Sequence, residues 1–247
     1  MKINVSVNAD EMGKASADLA AEEIARAIDD HGECRIMLST GASQFEFFNY
    51  LTKKDLPWDR VIGFHLDEFV NMEVTHPASF RKYMKERFVD KVHPKEFHYV
   101  DGTGNVEENI AKLTTLIREK PIDLGLIGIG ENGHIAFNDP PADFDTKEAY
   151  HIVKLDDKCR HQQFGAGWFK TLDEVPKKAV SMTVYQIMQC NTIITVCGGL
   201  RKADAIQKTL DSEEITNQIP ATKLKEHPRW YLFLDKESAS KVKSIEL

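Results

Sequence analysis

Asn132, His134 and Asp139 stand close together in Gly130-Glu131-Asn132-Gly133-His134-Ile135-Ala136-Phe137-Asn138-Asp139-Pro140, directly after the apolar run Ile122–Ile129. An imidazole titrates near neutrality, and a carboxylate five residues on can orient it or stabilise its charge. Gly130 and Gly133 permit the tight turn that would expose the ring. A lone histidine behind a strand is most often structural, but this clustering favours proton transfer. Zinc suits the motif poorly: no second histidine or cysteine stands at ligand spacing, and asparagine is a weak zinc ligand. No Gly-x-Ser-x-Gly elbow is present for a serine hydrolase.

Three further strand ends carry chemistry. Phe64-His65-Leu66-Asp67-Glu68-Phe69 closes an apolar run with two adjacent acids. Neighbours along a strand point to opposite sides, so at most one of Asp67 and Glu68 faces a given pocket. A carboxylate in a partly apolar mouth is pushed toward neutrality and becomes a usable base for a carbon-bound proton; the bland alternative is a pair of solvated acids. Ser39-Thr40-Gly41-Ala42-Ser43 and Gly198-Gly199-Leu200-Arg201-Lys202 each join a strand to a helix. Amides at a helix start, hydroxyls and flexible glycines suit a phosphate, and Lys202 can reach back to an anion. Either turn alone is also read as a helix cap, with Arg201 a solvated charge.

The elements that must position these residues alternate along the chain. Strands are expected at Lys2–Val7, Arg35–Leu38, Arg60–Leu66, Phe97–Val100, Ile122–Ile129, Ala179–Val184, Thr192–Cys197 and Trp230–Leu234. Ala17, Ala20, Ile24, Ala27 and Ile28 recur at helical spacing before Gly32, and helices are expected over Phe45–Lys53, Ala78–Val89, Val106–Glu119, Lys202–Leu210 and Lys236–Lys241. This order builds an α/β fold, a doubly wound, mostly parallel sheet with helices on both faces. Residues 140–178 have the weakest periodicity and read either as a mobile lid over a site or as a surface excursion. At 247 residues, without repeat or linker, one domain spanning 1–247 is expected.

A net charge of -7 disfavours nucleic acid and anionic membrane surfaces as partners, so an anionic ligand needs a local cradle. Cys34, Cys159, Cys190 and Cys197 form no Cys-x-x-Cys pair, which points to a reduced, cytoplasmic compartment. Met1–Val7 lacks the apolar core of a signal peptide, and no run is long enough to span a bilayer.

Taken together, Ser39–Ser43, Leu66-Asp67-Glu68-Phe69 with His76-Pro77-Ala78-Ser79-Phe80 downstream, Gly128–Pro140 and Gly198–Ala203 resemble the glucosamine-6-phosphate deaminase (isomerase) family, in order over nearly the whole chain. The resemblance implies a Rossmann-like fold and conversion of an aminosugar phosphate and water to a ketose phosphate and ammonia, with neither metal nor organic cofactor. It implies that His134 catalyses ring opening with Asp139 and Asn132 setting its protonation, and that Asp67 moves the proton from C2 to C1. It assigns the 6-phosphate to Thr40, Gly41, Ser43 and Lys202, with Arg160 as a further contact from the lid.

The chain departs from the family pattern in places. Asn132 stands where some members have aspartate, and Asp139 where glutamate is more usual. A lid arginine of some members falls near Gly165, with Arg160 matching a neighbouring arginine. The substrate is therefore expected to be glucosamine-6-phosphate or a related aminosugar phosphate such as galactosamine-6-phosphate. The chain ends soon after Ser240, so the effector site of hexameric members is not expected, and a homo-oligomer is left open. The competing readings are a 6-phosphogluconolactonase and, outside enzymes, a sugar-phosphate sensor. The sensor reading lacks a helix-turn-helix segment or basic stripe.

Overall fold

The computed structural model describes residues 1–243. Ten strands run in chain order as β1 (Lys2–Ser6), β2 (Cys34–Leu38), β3 (Val61–His65), β4 (Asp67–Phe69), β5 (Glu96–His98), β6 (Leu124–Ile127), β7 (Tyr150–Lys154), β8 (Lys178–Met182), β9 (Thr192–Cys197) and β10 (Trp230–Asp235). The helices are α1 (Ala9–His31), α2 (Phe45–Leu51), α3 (Phe80–Met84), α4 (Asp90–Val92), α5 (Val106–Arg118), α6 (Asp157–Gly165), α7 (Val184–Ile187), α8 (Ala203–Asp211) and α9 (Lys236–Ala239). A π-helical turn, Lys85–Val89, joins α3 to α4 into one continuous helical stretch.

The main sheet has seven strands in the order β1-β10-β9-β6-β2-β3-β5, and every pairing in it is parallel. Its central strands β2, β3, β6 and β9 are buried along their whole length, as strands covered by helices on both faces must be. One covering layer packs Met12, Ala20 and Ile24 of α1 with Phe47 and Phe48 of α2 and Phe88. The other packs Leu113 and Ile117 of α5 with Ala205 and Ile206 of α8 and Ala239 of α9. The fold is thus the doubly wound α/β arrangement expected from the alternation of elements, and it is Rossmann-like, as the family resemblance implied.

Helix α1 shows how local sequence sets an element. The Asn8 side chain accepts the Glu11 N–H at 2.9 Å to cap its start, and Gly32, at φ 86, ends it by donating to the Ile28 carbonyl. Gly13 lies against Glu46 and the Phe47 backbone of α2, closer than any Cβ would permit. That close approach seats α1 and α2 side by side on one face.

A second, antiparallel sheet, β4-β8-β7, stands beyond the carboxyl end of β3. The expected strand Arg60–Leu66 ends at His65; after Leu66 the chain leaves the parallel sheet and begins β4. Residues 140–178 hold an unexpected strand, β7, and an unexpected helix, α6. Among the described residues Tyr150–Lys154 pairs only with β8, and of its side chains Tyr150 alone is fully buried while Ile152 and Lys154 are exposed. An edge strand that mixes Tyr, His, Ile, Val and Lys carries little of the continuous apolarity that marks the central strands. Helix α6 buries little besides Cys159 and Arg160, which is why no apolar stripe announces it.

Candidate active site

The order of β6 and β2 in the sheet places the site. From β2 the chain moves outward on one side to β3 and β5, then returns through α5 to β6 on the other side of β2. Loops leaving the carboxyl ends of β2 and β6 therefore diverge, and such a switch point opens a crevice at the sheet's edge. The loops after β9, β6, β2 and β3 stand next to one another there.

The loop after β6 carries His134. Gly133 adopts φ 86, and the backbone of Gly130 lies directly under the imidazole, where any Cβ would collide with the ring. The His134 ring Nδ1 lies 3.0 Å from Asp139 Oδ1, a close contact without the alignment of a hydrogen bond. Asn132 Nδ2 donates to the same carboxylate oxygen at 3.0 Å, while its Oδ1 accepts the His134 backbone N–H at 3.0 Å. Asn132 thus fastens both ends of the pair. Burial alone would raise the Asp139 carboxyl, but the facing imidazole, the Asn132 amide and the Cys159 thiol together hold it below the usual carboxylate range. It is an anion beside the imidazole at neutral pH.

Asp67 opens β4 opposite Ser181 of β8, and Ser181 Oγ accepts the Phe137 N–H at 3.0 Å. The histidine loop is therefore docked on the sheet that carries Asp67. Burial, reinforced by the adjacent Glu68 charge, pushes the Asp67 carboxyl up to about 8. Its Oδ1 is buried without a hydrogen-bond partner. Cys159, reaching down from α6, feels the charges of both Asp67 and Asp139, and its sulfur lies within 4.8 Å of the ligand-capable atoms of His134 and Asp139. Cys159 is thus the buried group that senses both the acid of β4 and the carboxylate of the histidine loop. Cys159 had no local sequence signal: only the docking of α6 brings it there.

Strand alternation separates the two acids. Glu68 turns away from Asp67 and accepts hydrogen bonds from Ser79 Oγ at 2.8 Å, Arg81 N at 2.9 Å, Phe80 N at 3.2 Å and Phe69 N at 2.9 Å. It caps α3 and anchors it under β4. Replacing Glu68 by Gln presents an amide to those donors and should destabilise the fold by about 2–4 kcal/mol, read as a lowered urea midpoint with an unchanged denaturant slope. His65, one step before Leu66, is also buried. Desolvation and the Arg81 charge push it down to about 3, so it is neutral at physiological pH.

The two glycine-containing turns meet at the same edge. Ser39 N donates to Leu126 O at 2.9 Å and Gln44 Nε2 to Val196 O at 2.8 Å, stitching the turn after β2 to β6 and β9. Gly41 has φ 137, its carbonyl accepting the Tyr83 hydroxyl at 2.8 Å. The hydroxyls of Thr40 and Ser43 have no partner among the described residues. From the turn after β9, Lys202 Nζ donates to the Ile129 carbonyl at 2.8 Å, which holds the ammonium at the end of β6. Arg160 is placed differently. Its Nη2 donates to the Leu172 carbonyl at 2.7 Å and its Nη1 lies 3.6 Å from Asp157, so it braces the segment around α6 instead of presenting its fork to the crevice.

The model of the family described as glucosamine-6-phosphate isomerases/6-phosphogluconolactonase matches residues 7–232. Curated proteins named glucosamine-6-phosphate deaminase from Lactobacillus delbrueckii subsp. bulgaricus and Streptococcus sanguinis are each 32% identical over 244 residues, covering 98% of this chain and 100% of theirs. A solved structure described as a monomeric glucosamine-6-phosphate deaminase superposes with a TM-score of 0.88 at 27% identity, covering 98% of this chain and 100% of that one. A 6-phosphogluconolactonase from Thermotoga maritima shares the fold, with a TM-score of 0.79 at 16% identity over 95% of this chain and 99% of that one.

Proposed function

This chain belongs to the glucosamine-6-phosphate isomerase/6-phosphogluconolactonase family, and from that premise we propose that it converts glucosamine-6-phosphate and water to fructose-6-phosphate and ammonia. The observation that carries the reading is Asp67, a buried carboxyl lifted to about 8 with one oxygen unpartnered. A base that must take a proton from carbon and hand it to the next carbon works best when its two protonation states are close in energy at the working pH. A lactonase needs water activation and has no use for a shuttle between C2 and C1.

In this reading Thr40, Gly41, Ser43 and Lys202 hold the 6-phosphate, and Lys202 leaves the Ile129 carbonyl for it. Anchoring the unreactive end places C1 and C2 beside Asp67. His134, kept in register by Asp139 and Asn132, moves the proton that opens the sugar ring. Asp67 then removes the C2 proton to give an enolamine and returns a proton to C1. The resulting imine at C2 takes up water and releases ammonia. Residues 140–178 act as the lid, closing water out through α6. Four free, buried cysteines suit a reducing cytoplasm. Among the described residues, no helix is long and apolar enough to cross a membrane.

The test is ammonia release from glucosamine-6-phosphate, galactosamine-6-phosphate and unphosphorylated glucosamine, run beside hydrolysis of 6-phosphogluconolactone. Release from the first substrate with a KM raised about tenfold or more by Lys202→Ala is expected. Lactone hydrolysis without ammonia release would overturn the assignment.

A further inference from the structure

Arg201 occupies an unusual position for a surface cation. It sits on the short turn Leu200–Lys202, beside the lysine assigned to the phosphate. Its Nε lies 3.0 Å from Glu131 Oε1, a residue of the histidine loop. The backbone N–H of that same Glu131 donates to Gln162 Oε1 of α6 at 3.2 Å. At the end of α6, Gly165 has no side chain, and Arg201 Nη2 lies 3.5 Å from the point where a Cβ would stand. The guanidinium is therefore held between the histidine loop and the lid, over the edge where Lys202 also points.

We propose that Arg201 is a second cation of the phosphate pocket, parked on Glu131 while the pocket is empty and passed to the phosphate when it fills. The proposal rests on the sugar-phosphate reading of the site. Arg201 is 66% and Glu131 33% exposed on their side chains, and an ion pair so open to solvent holds its partners weakly. Leaving it costs little. The contact is made through Nε, no hydrogen bond engages the terminal amino groups among the described residues, and a planar fork matches a phosphate with paired hydrogen bonds that one carboxylate oxygen does not supply. A phosphate monoester also carries more charge than the carboxylate it displaces. The bare backbone at Gly165 leaves room for the fork to turn beneath α6. Glu131 is then a competitor for Arg201, which fixes the sign of its effect: it weakens phosphate binding.

Inorganic phosphate binding, measured by calorimetry on the full chain, tests this without depending on turnover. Arg201→Ala is expected to weaken binding about tenfold, with Arg201→Lys recovering only part because the fork is lost. Glu131→Gln is expected to tighten it about two- to fivefold by removing the competing charge. The matching kinetic result is a rise in KM for the sugar phosphate in Arg201→Ala with kcat nearly unchanged. If Arg201 and Glu131 formed only a latch for the lid, both variants would shift binding in the same direction, and that outcome overturns the proposal. Unchanged phosphate affinity in Arg201→Ala, with affinity lost in Lys202→Ala, also overturns it while leaving the pocket assignment standing. A wild-type chain that binds phosphate but releases no ammonia would reject the proposed reaction and leave the role of Arg201 to the binding data.

Discussion

Asp67→Asn is expected to lower kcat by about 10³-fold or more while changing sugar-phosphate affinity little. An amide fills the same space but accepts no proton, so exchange of the C2 hydrogen with solvent deuterium should vanish along with ammonia release. Persistent exchange in this variant would remove Asp67 from its role. The same substitution has a stability signature of the opposite sign. The native carboxyl is pushed to about 8 against an ordinary value of 3.8, so between those limits the folded chain holds a proton that the unfolded chain has released. That contribution to stability is full below pH 3.8 and is lost as pH rises through 8. The asparagine variant has no such dependence. It should melt above wild type at pH 9 and lose the advantage toward pH 5, which differential scanning calorimetry at the two pH values checks. In the wild type, kcat/KM should climb with pH up to about 8, because only the ionised carboxyl is a base.

His134→Gln is expected to cost about 10²- to 10³-fold in kcat/KM and to act at an earlier step. Glutamine cannot carry the proton that ring opening requires in the proposed mechanism, but it leaves Asp67 and the two glycine turns intact. A substrate analogue fixed in the open-chain form should therefore recover part of the lost rate in His134→Gln and none of it in Asp67→Asn. Gly130→Ala offers an independent route to the same phenotype, because its Cβ would occupy the space of the imidazole. If Gly130→Ala retained full activity with a folded chain, the seat described for His134 would be wrong. Equal rescue of both the His134 and Asp67 variants would collapse the separation of ring opening from proton shuttling.

Much of this was written in the order of residues. The apolar runs that became β2, β6 and β9 are buried on both faces and so leave a continuous signal, and the amphipathic helices α1, α5 and α8, the first two capped by asparagine, leave a periodic one. The glycines around His134 encode a turn whose need is local: one adopts a positive φ, and another leaves space for a ring four residues on. Asn132, His134 and Asp139 are close in sequence, so their contact required little more than that turn.

Other features depended on segments far apart in the chain. Sequence alternation could say that Asp67 and Glu68 face opposite ways, but not which faced the pocket; that was settled by Ser79 and the start of α3 arriving to take Glu68. Edge strand β7 and helix α6 gave no clear pattern because each is covered on only part of its surface. The approach of Cys159 to Asp139, the diversion of Arg160 to Leu172 and the meeting of Arg201 with Glu131 all follow from where α6 and the turn after β9 dock. The sequence by itself determined the strand and helix alternation and the chemistry available at each strand end, because those rest on local periodicity and residue type. Only the tertiary structure decided which charges are buried, which are paired and which stay free, because desolvation and ion pairing depend on neighbours that the chain brings together only when the sheet closes over its switch point.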